Sequence, residues 1–444
     1  MSEHLTSVGL DVGTTTTQLI LSRLTVENRA SGFAVPKMEI TGRQILYKSP
    51  VHFTPLIENE LVDGAAIARI VAQEYKNAGI SRDDVDTGAV IITGETSRKE
   101  NAKAVLQELS GFAGDFVVAT AGPDLESVLA AKGSGATAWS AQTGKRVLHM
   151  DIGGGTCNMA LIEDGQITAT GCLNVGGRLV KLEKGKVTWV SPAVQQLTDL
   201  TPGQYPNPGQ LEGLAKILTC GLEMAAGLRP ATELLDKLTT VGTVETWIPP
   251  QTVPVLSFSG GVAACMENPG DYGDLGGILG QTIRQSRLCK DFYRIGTEPI
   301  RATVIGAGSH STQLSGSTVF YEQVTLPLQN LPVVMVRDPQ HIAQAVAGQD
   351  SSQVVLALDV QAVDYKAVKA LAQSIARGLG DRPVLVALEQ DLAKALGHAL
   401  RLLLPQRPIL CIDRLRLQQG SFLDVGKPVG SCLPVVVKTV IFSN

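Results

Sequence analysis

Val8-Gly-Leu-Asp-Val-Gly-Thr-Thr-Thr-Thr-Gln-Leu-Ile-Leu21 is an apolar run that ends in an aspartate, then a turn of glycine and threonines, then a second apolar run. β-branched and apolar residues on both sides of such a break predict strand, tight turn, strand. The chain then repeats itself. His149-Met-Asp-Ile-Gly-Gly-Gly-Thr-Cys-Asn-Met-Ala-Leu-Ile162 has the same pattern, and an offset of 140 superposes Asp11 on Asp151, Gly13 on Gly153, Thr16 on Thr156 and Leu19 on Met159. Internal self-similarity governs the reading of a fold. Two copies predict two similar lobes facing one another.

Outward from these turns, Asp63 is placed to cap a helix running to about Ala78, with Gly79 just past its end. Gly88–Gly94 reads as a buried strand, Lys99–Leu109 as a helix, and Asp164-Gly165 as a hairpin turn into Gln166–Thr170. Residues 191–209 carry four prolines (192, 202, 206 and 208) and read as a linker or exposed loop. Leu211–Leu228 is a long helix, and Val253–Phe258 a strand running into Ser259-Gly-Gly-Val-Ala263. Ala302–Ile305 leads into Gly306-Ala-Gly-Ser-His310, read as a second glycine turn. From about residue 319, short aliphatic strands (Val333–Val336, Val354–Leu358, Val384–Leu388, Ile409–Ile412) alternate with helices (His341–Ala347, Tyr365–Leu379, Leu392–Leu404). That alternation predicts a separate α/β unit. The expected division is residues 1–147, 148–318 and 319–444.

Composition fits such an assembly. At roughly 100–200 residues per domain, 444 residues suggest two to four domains. Hydrophobic residues at 44% and charged residues at 18% exclude wholesale disorder. The net charge of −4 argues against a nucleic-acid binder driven by bulk charge. Seven cysteines, an odd number with no Cys-x-x-Cys, argue against a disulfide framework or a zinc site and fit a reducing cytoplasm. The first residues lack a basic segment followed by an apolar core, so no signal peptide is expected. No apolar run is long enough to span a membrane.

The two Asp-x-Gly-x-x-Thr turns carry the chemistry. Phosphate oxygens need close backbone N–H donors, which glycine permits, and hydroxyls add further donors. An aspartate at each strand end can hold Mg²⁺ beside the phosphates. The pattern is not a P-loop, because no Gly-x4-Gly-Lys-Ser/Thr occurs, and Gly153-Gly-Gly155 opens a strand rather than the helix a Rossmann fingerprint needs. The paired turns predict nucleotide binding.

Asp11-Val-Gly-Thr-Thr-Thr, Asp151-Ile-Gly-Gly-Gly-Thr and Ser259-Gly-Gly-Val-Ala resemble, in order, the first phosphate, second phosphate and adenosine motifs of the actin-like ATPase superfamily. The resemblance is closer to its ethanolamine ammonia-lyase reactivating factors. Thr93-Gly-Glu-Thr-Ser-Arg-Lys-Glu-Asn-Ala102, Ala121-Gly-Pro-Asp-Leu-Glu-Ser127 with Lys132-Gly-Ser-Gly135, and Asp424-Val-Gly-Lys-Pro-Val-Gly with Leu433-Pro-Val-Val-Val-Lys-Thr-Val440 are similar to that family. It implies an α/β, actin-like ATPase fold of two lobes around a nucleotide cleft, plus a C-terminal α/β unit. It also implies an ATP- and Mg²⁺-dependent chaperone that binds inactivated ethanolamine ammonia-lyase holoenzyme and releases damaged cobalamin, so that intact cofactor can enter. A cytoplasmic place follows, with a bacterial microcompartment and a homodimer left open.

Roles carried over from the resemblance put Gly13, Thr14, Thr15, Gly153, Gly154, Gly155 and Thr156 at the phosphates. Asp11 and Asp151 organise Mg²⁺ and the attacking water. Gly260 and Gly261 form the adenosine turn, with Gly306 and Gly308 beside it. Asp124, Glu126 and Glu95 are the candidates for a third carboxylate. Cys157 reads as a small strand residue and His149 as a group that packs or bonds locally. Arg401 and Arg407 read as surface charge. A small-molecule kinase of the same superfamily and a non-catalytic actin-like scaffold stand as alternatives. No base for a kinase acceptor hydroxyl is evident.

Overall fold

The structure, a computed structural model, describes all residues except 1–2, 14–15, 29–37, 58–60, 82–83, 94–100, 102–104, 106–108, 110–117, 121–122, 241–246, 311, 315–318, 348–352, 359–363, 416, 418–420, 427, 429–432 and 440–444. Lobe 1 is built on β1 (Glu3–Val12), β2 (Thr16–Asn28), β3 (Met38–Lys48), the short β4 (His52–Phe53), β5 (Thr87–Ile92) and β6 (Val118–Thr120). The sheet order is β3-β2-β1-β5-β6, with β4 on β2; the first three strands run antiparallel and β5 parallel to β1. Lobe 2 uses β7 (Val147–Ile152), β8 (Cys157–Glu163), β9 (Gln166–Leu173), β10 (Val255–Ser259) and β11 (Tyr293–Ile295), in the equivalent order β9-β8-β7-β10-β11.

The repeat holds at the level of register. Asp11 pairs across the hairpin with Gln18, and Asp151 with Asn158, each partner displaced by the same offset. This duplicated sheet order is the arrangement of two similar α/β lobes that the resemblance implied.

Each lobe has its own core. In lobe 1, Val8, Leu10, Val12 and Leu19 pack beneath Ile67, Val71 and Tyr75 of α1 (Gly64–Ala78). That helix starts and stops where expected: the Asp63 side chain accepts from the Ala66 N–H, and Gly79 closes it at φ 69°. In lobe 2 the strands pack against Leu214, Leu218 and Leu222 of α4 (Pro208–Ala225), a stripe at helical spacing.

Two helices cross between the lobes, α2 (Pro123–Gly133) and α7 (Ala302–His310). A Cβ on Gly306 would stand 1.9 Å from the Leu129 carbonyl oxygen, and one on Gly133 would stand 1.7 Å from that of Ala302. The glycine-rich stretch expected as a turn is therefore a helix, and its glycine serves backbone-to-backbone contact. α2 lies on the sheet of lobe 2, while α7 lies on β1, β2 and β5 of lobe 1. A helix from the expected segment 1–147 thus packs on the sheet of lobe 2, and one from 148–318 on the sheet of lobe 1.

The third unit contains β12 (Thr312–Leu314), β13 (Phe320–Glu322), β14 (Leu328–Val336), β15 (Val355–Leu358), β16 (Val384–Leu388), β17 (Ile409–Ile412), β18 (Ser421–Val425) and β19 (Pro434–Thr439), in the order β12-β19-β18-β14-β15-β16-β17-β13. β14 to β17 run parallel, and α8 (Ile342–Ala347), α9 (Tyr365–Gly378) and α10 (Ala393–Leu403) cover one face. β12 brings the start of this unit before residue 319.

The proline-bearing segment 191–209 is no free linker. Pro192–Leu197 forms a 3-10 turn, Val194 and Leu200 are buried in the lobe 2 core, and Asn207 caps α4 in a reciprocal capping box with Gln210. The expected helix Lys99–Leu109 lies mostly outside the described residues. Among the described residues, no helix is long and apolar enough to cross a membrane.

Candidate functional site

The two glycine turns have the same closure. The Gly13 N–H donates to the Thr16 carbonyl at 2.9 Å, and the Gly153 N–H to the Thr156 carbonyl at 2.9 Å. The turn carbonyls are held from behind: the Thr54 hydroxyl donates to Gly13 at 2.8 Å, while the N–H groups of Gly177 and Arg178 donate to Gly153 and Gly154 at 3.0 and 2.6 Å. A side chain at Gly155 would meet nothing within 4 Å, so this part of the turn borders open space. Thr14 and Thr15 lie outside the described residues.

Asp11 and Asp151 end the first strand of their lobes and act on one another electrostatically. Burial pushes the Asp11 carboxyl up to about 7, the Thr93 hydroxyl at 2.9 Å from Oδ1 opposes this, and the Asp151 charge adds to it. Burial also pushes Asp151 up to about 6, against hydrogen bonds from Ser259 to Oδ1 and from Thr303 to Oδ2 at 3.3 Å. The register partners Gln18 and Asn158 are 3% and 2% exposed, and their amide oxygens have no protein partner. Two acidic groups with undercompensated charge, beside two orphaned oxygens, suit a hard divalent cation with oxygen ligands. Among the described residues there is no cluster of three His, Cys, Asp or Glu side chains that would cage a metal alone.

In the turn expected to meet adenosine, the two glycines have different reasons. Gly260 sits at φ 92°, and a Cβ there would lie 2.2 Å from the Ile152 carbonyl oxygen. Its need for glycine comes from the end of β7. Gly261, the first residue of α5 (Gly261–Glu267), is exposed and has open space where a Cβ would go. Gly306 and Gly308 are helical, and Gly306 faces the Leu129 backbone. Of the candidate third carboxylates, Asp124 accepts from the Thr170 hydroxyl at 2.6 Å on β9, two strands from Asp151, and Glu126 lies in the same helical turn. Neither is brought to the aspartate pair by these contacts. Glu95 lies outside the described residues.

Sequence reasoning gave no role here to Thr93, Thr303, Gln18, Asn158 or Arg178. The same offset that pairs the aspartates would have pointed to Gln18 and Asn158. It also missed a cavity of about 1070 Å³ in lobe 2, between α4 and α6 (Gly276–Arg284). Glu212, Lys216, Thr219 and Glu223 line it along α4, with Asp274 and Gln281 opposite. The Thr219 hydroxyl is buried there without a protein partner. Asp274 ties the cavity to the second turn, since its carboxylate lies 3.3 Å from Arg178 Nε.

Other readings resolve simply. His149 is fully buried, and burial holds its imidazole down to about 3, hence neutral. Burial raises the Cys157 thiol well above its usual range, which removes it as a nucleophile. Arg401 pairs with Glu322 at 2.6 Å and donates to the Leu404, Pro405 and Arg407 carbonyls, so it fastens its own loop.

Comparison with known proteins followed from this geometry. The profile of the family described as Ethanolamine utilisation protein EutA matches residues 3–443. The chain is 39% identical over 471 residues to the ethanolamine ammonia-lyase reactivase EutA of Salmonella typhimurium, covering 100% of both chains. It is 39% identical over 468 residues to the protein of that name from Escherichia coli, again covering 100% of both. Among solved structures, the Ppx/GppA family member of Aquifex aeolicus aligns with 68% of this chain and 97% of its own, at TM-score 0.43 and 12% identity. The ethanolamine utilization protein EutJ of Carboxydothermus hydrogenoformans aligns with 69% of this chain and 89% of its own, at TM-score 0.34 and 16% identity.

Proposed function

The chain belongs to the EutA family of ethanolamine utilisation proteins, and we propose that it is an ATP-dependent reactivating chaperone of adenosylcobalamin-dependent ethanolamine ammonia-lyase. The observation that carries this reading is the identity to two reactivases along the whole length of all three chains. In this reading the protein binds lyase that holds damaged cobalamin, and nucleotide turnover loosens the damaged cofactor so that an intact one can enter. The protein acts in the cytoplasm, in or beside a bacterial microcompartment.

The duplicated turns support the nucleotide part. The phosphates lie between Gly13 and Gly153–Thr156, glycine turns of the kind that lets backbone and hydroxyl donors approach an anion. Asp11 and Asp151 hold Mg²⁺, which when bound supplies positive charge against the phosphates. Asp11 is suited to orient the attacking water beside that cation. The adenosine moiety enters the cavity between α4 and α6, where the Thr219 hydroxyl, Glu212 and Lys216 offer polar partners.

A kinase reading is not favoured, because the relatives matched end to end are reactivases. The test is reconstitution. Lyase blocked with cyanocobalamin is incubated with this protein, ATP, Mg²⁺ and fresh adenosylcobalamin, and ethanolamine deamination is assayed. Recovery that requires both this protein and ATP is expected. No recovery above the nucleotide-free control would overturn the proposal.

A further inference from the structure

Behind Asp151 lies a buried chain of hydrogen bonds with one direction. His149 and Ser259 are both 0% exposed and Ser257 is 1% exposed. His149 Nε2 stands 2.9 Å from Ser259 Oγ, and Ser259 Oγ bonds Asp151 Oδ1. On the other side of the ring, Nδ1 stands 3.1 Å from Ser257 Oγ. Ser134 is also near Nδ1, at 3.4 Å, but its hydroxyl donates to the Ala131 carbonyl at 3.1 Å.

The proton positions follow from what each group can do. An ionised carboxylate only accepts, so Ser259 donates its single proton to Asp151. The Ser259 oxygen then accepts, and a neutral imidazole must supply that proton from Nε2. Nδ1 is left bare and accepts from the Ser257 hydroxyl. Every proton from Ser257 to His149 to Ser259 points toward Asp151, an arrangement in which successive bonds polarise one another.

Among the described residues, position 9 of lobe 1 offers no counterpart of His149. The offset that pairs Asp11 with Asp151 pairs Gly9 with His149. A Cβ at Gly9 would stand 2.7 Å from the Val304 carbonyl oxygen, because α7 occupies that space. Asp11 instead accepts from the Thr93 hydroxyl on Oδ1. The repeat therefore places two equivalent aspartates in unequal surroundings.

We propose that His149, acting through Ser259, is a positioning residue that locks the Asp151 carboxylate in one orientation for Mg²⁺-nucleotide. This rests on the nucleotide reading above. Partners behind a metal-binding carboxylate fix its orientation, and losing one typically costs about 10- to 100-fold in metal affinity or activity.

The test uses the full-length protein with Ser259→Ala, His149→Leu and His149→Gln, the last keeping an N–H donor at the position of Nε2. Ser259→Ala and His149→Leu should each lower kcat for ATP and raise the Mg²⁺ requirement about 10- to 100-fold. ADP affinity in EDTA, by calorimetry, should stay within about twofold of wild type, while His149→Gln restores most of the loss. Independently of nucleotide, the ¹⁵N spectrum of labelled histidine should show Nε2 of His149 protonated and Nδ1 bare, a signature that Ser259→Ala shifts. A His149 protonated at Nδ1 would overturn the chain, even if His149→Leu fails to fold. Folded variants with wild-type kcat and Mg²⁺ requirement would overturn the positioning role. A wild-type protein that binds no nucleotide would overturn the nucleotide reading and the role given to Asp151 with it.

Discussion

The Arg178 guanidinium of lobe 2 lies over the Phe53 ring of lobe 1, with Cζ 5.6 Å from the ring centre. Both residues sit directly behind the glycine turns. The Arg178 N–H holds Gly154, and Phe53 precedes Thr54, whose hydroxyl holds Gly13. The contact therefore joins the two turns across the lobes. Phe53 is 73% exposed, so removing its ring costs the fold little. A cation–π contact at an exposed site is worth about 0.5–1 kcal/mol, or roughly a factor of 2–5. Phe53→Ala should weaken ATP affinity by about that factor with the thermal midpoint unchanged. Calorimetric affinity equal to wild type would remove the contact from lobe closure.

The aspartate pair predicts an unusual pH profile. An unfolded Asp titrates near 3.9, whereas burial holds Asp151 at about 6 and Asp11 at about 7. Between these values the folded protein binds more protons than the unfolded chain, so the contribution of the pair to stability falls as pH rises from about 4 to about 7. Asp11→Asn and Asp151→Asn should each flatten that fall in nucleotide-free protein and raise its melting temperature at pH 8. They should also cut ATP turnover by roughly 10²-fold or more, as expected for groups acting on transition-state charge. Melting scans from pH 4 to 8 with parallel turnover assays check both. A variant that melts lower at pH 8 would contradict the burial argument.

Gly260 and Gly261 should separate cleanly. Gly260→Ala drives a methyl into the Ile152 backbone at a positive φ, so lower soluble yield and a lower melting temperature are expected. Gly261→Val points into open space and should spare the melting temperature while weakening nucleotide binding. If Gly261→Val binds ATP as wild type does, this turn does not border the ligand.

The contrast between these glycines shows what was legible in the sequence. The two lobes were, because a phosphate turn needs Gly and Thr at fixed spacing and the spacing occurs twice. The C-terminal strands and helices were legible too, from runs such as Val384–Leu388 that match the observed strand residue for residue. Gly306 was not. Glycine costs a helix roughly 1 kcal/mol, so Gly-Ala-Gly reads locally as a turn. Here the close approach of Leu129, far away in sequence, overrides that preference. The groups holding the aspartates were hidden for a related reason. Thr93, Ser259 and Thr303 reach Asp11 or Asp151 from 82, 108 and 152 residues away, and an isolated Ser or Thr carries no signature of such a bond. The cavity was masked by its own helix, since α4 shows an apolar stripe while Glu212, Lys216 and Thr219 look like an ordinary polar face.

The third unit leads to a prediction about coupling. Among the described residues, its two cores draw on residues from 319 onward, with none from either lobe. It meets lobe 1 where β12 approaches β3 and β19 approaches β6. A unit with its own core, beside the two lobes to which the proposed nucleotide site is assigned, is suited to meet the lyase. Loss of the γ-phosphate would remove contacts that bridge the two turns and shift the lobes toward an open form. Such a shift reaches a partner only through differential affinity, usually about 5- to 150-fold. ATP- and ADP-bound protein should therefore differ by that order in affinity for cobalamin-blocked lyase, as measured by calorimetry or sedimentation. Ending the chain at residue 311 should leave ATP affinity within a few-fold of wild type but abolish lyase binding and reactivation. Equal lyase affinity in the two nucleotide states would refute the coupling, and a folded truncation that still reactivates the lyase would refute the role given to the third unit.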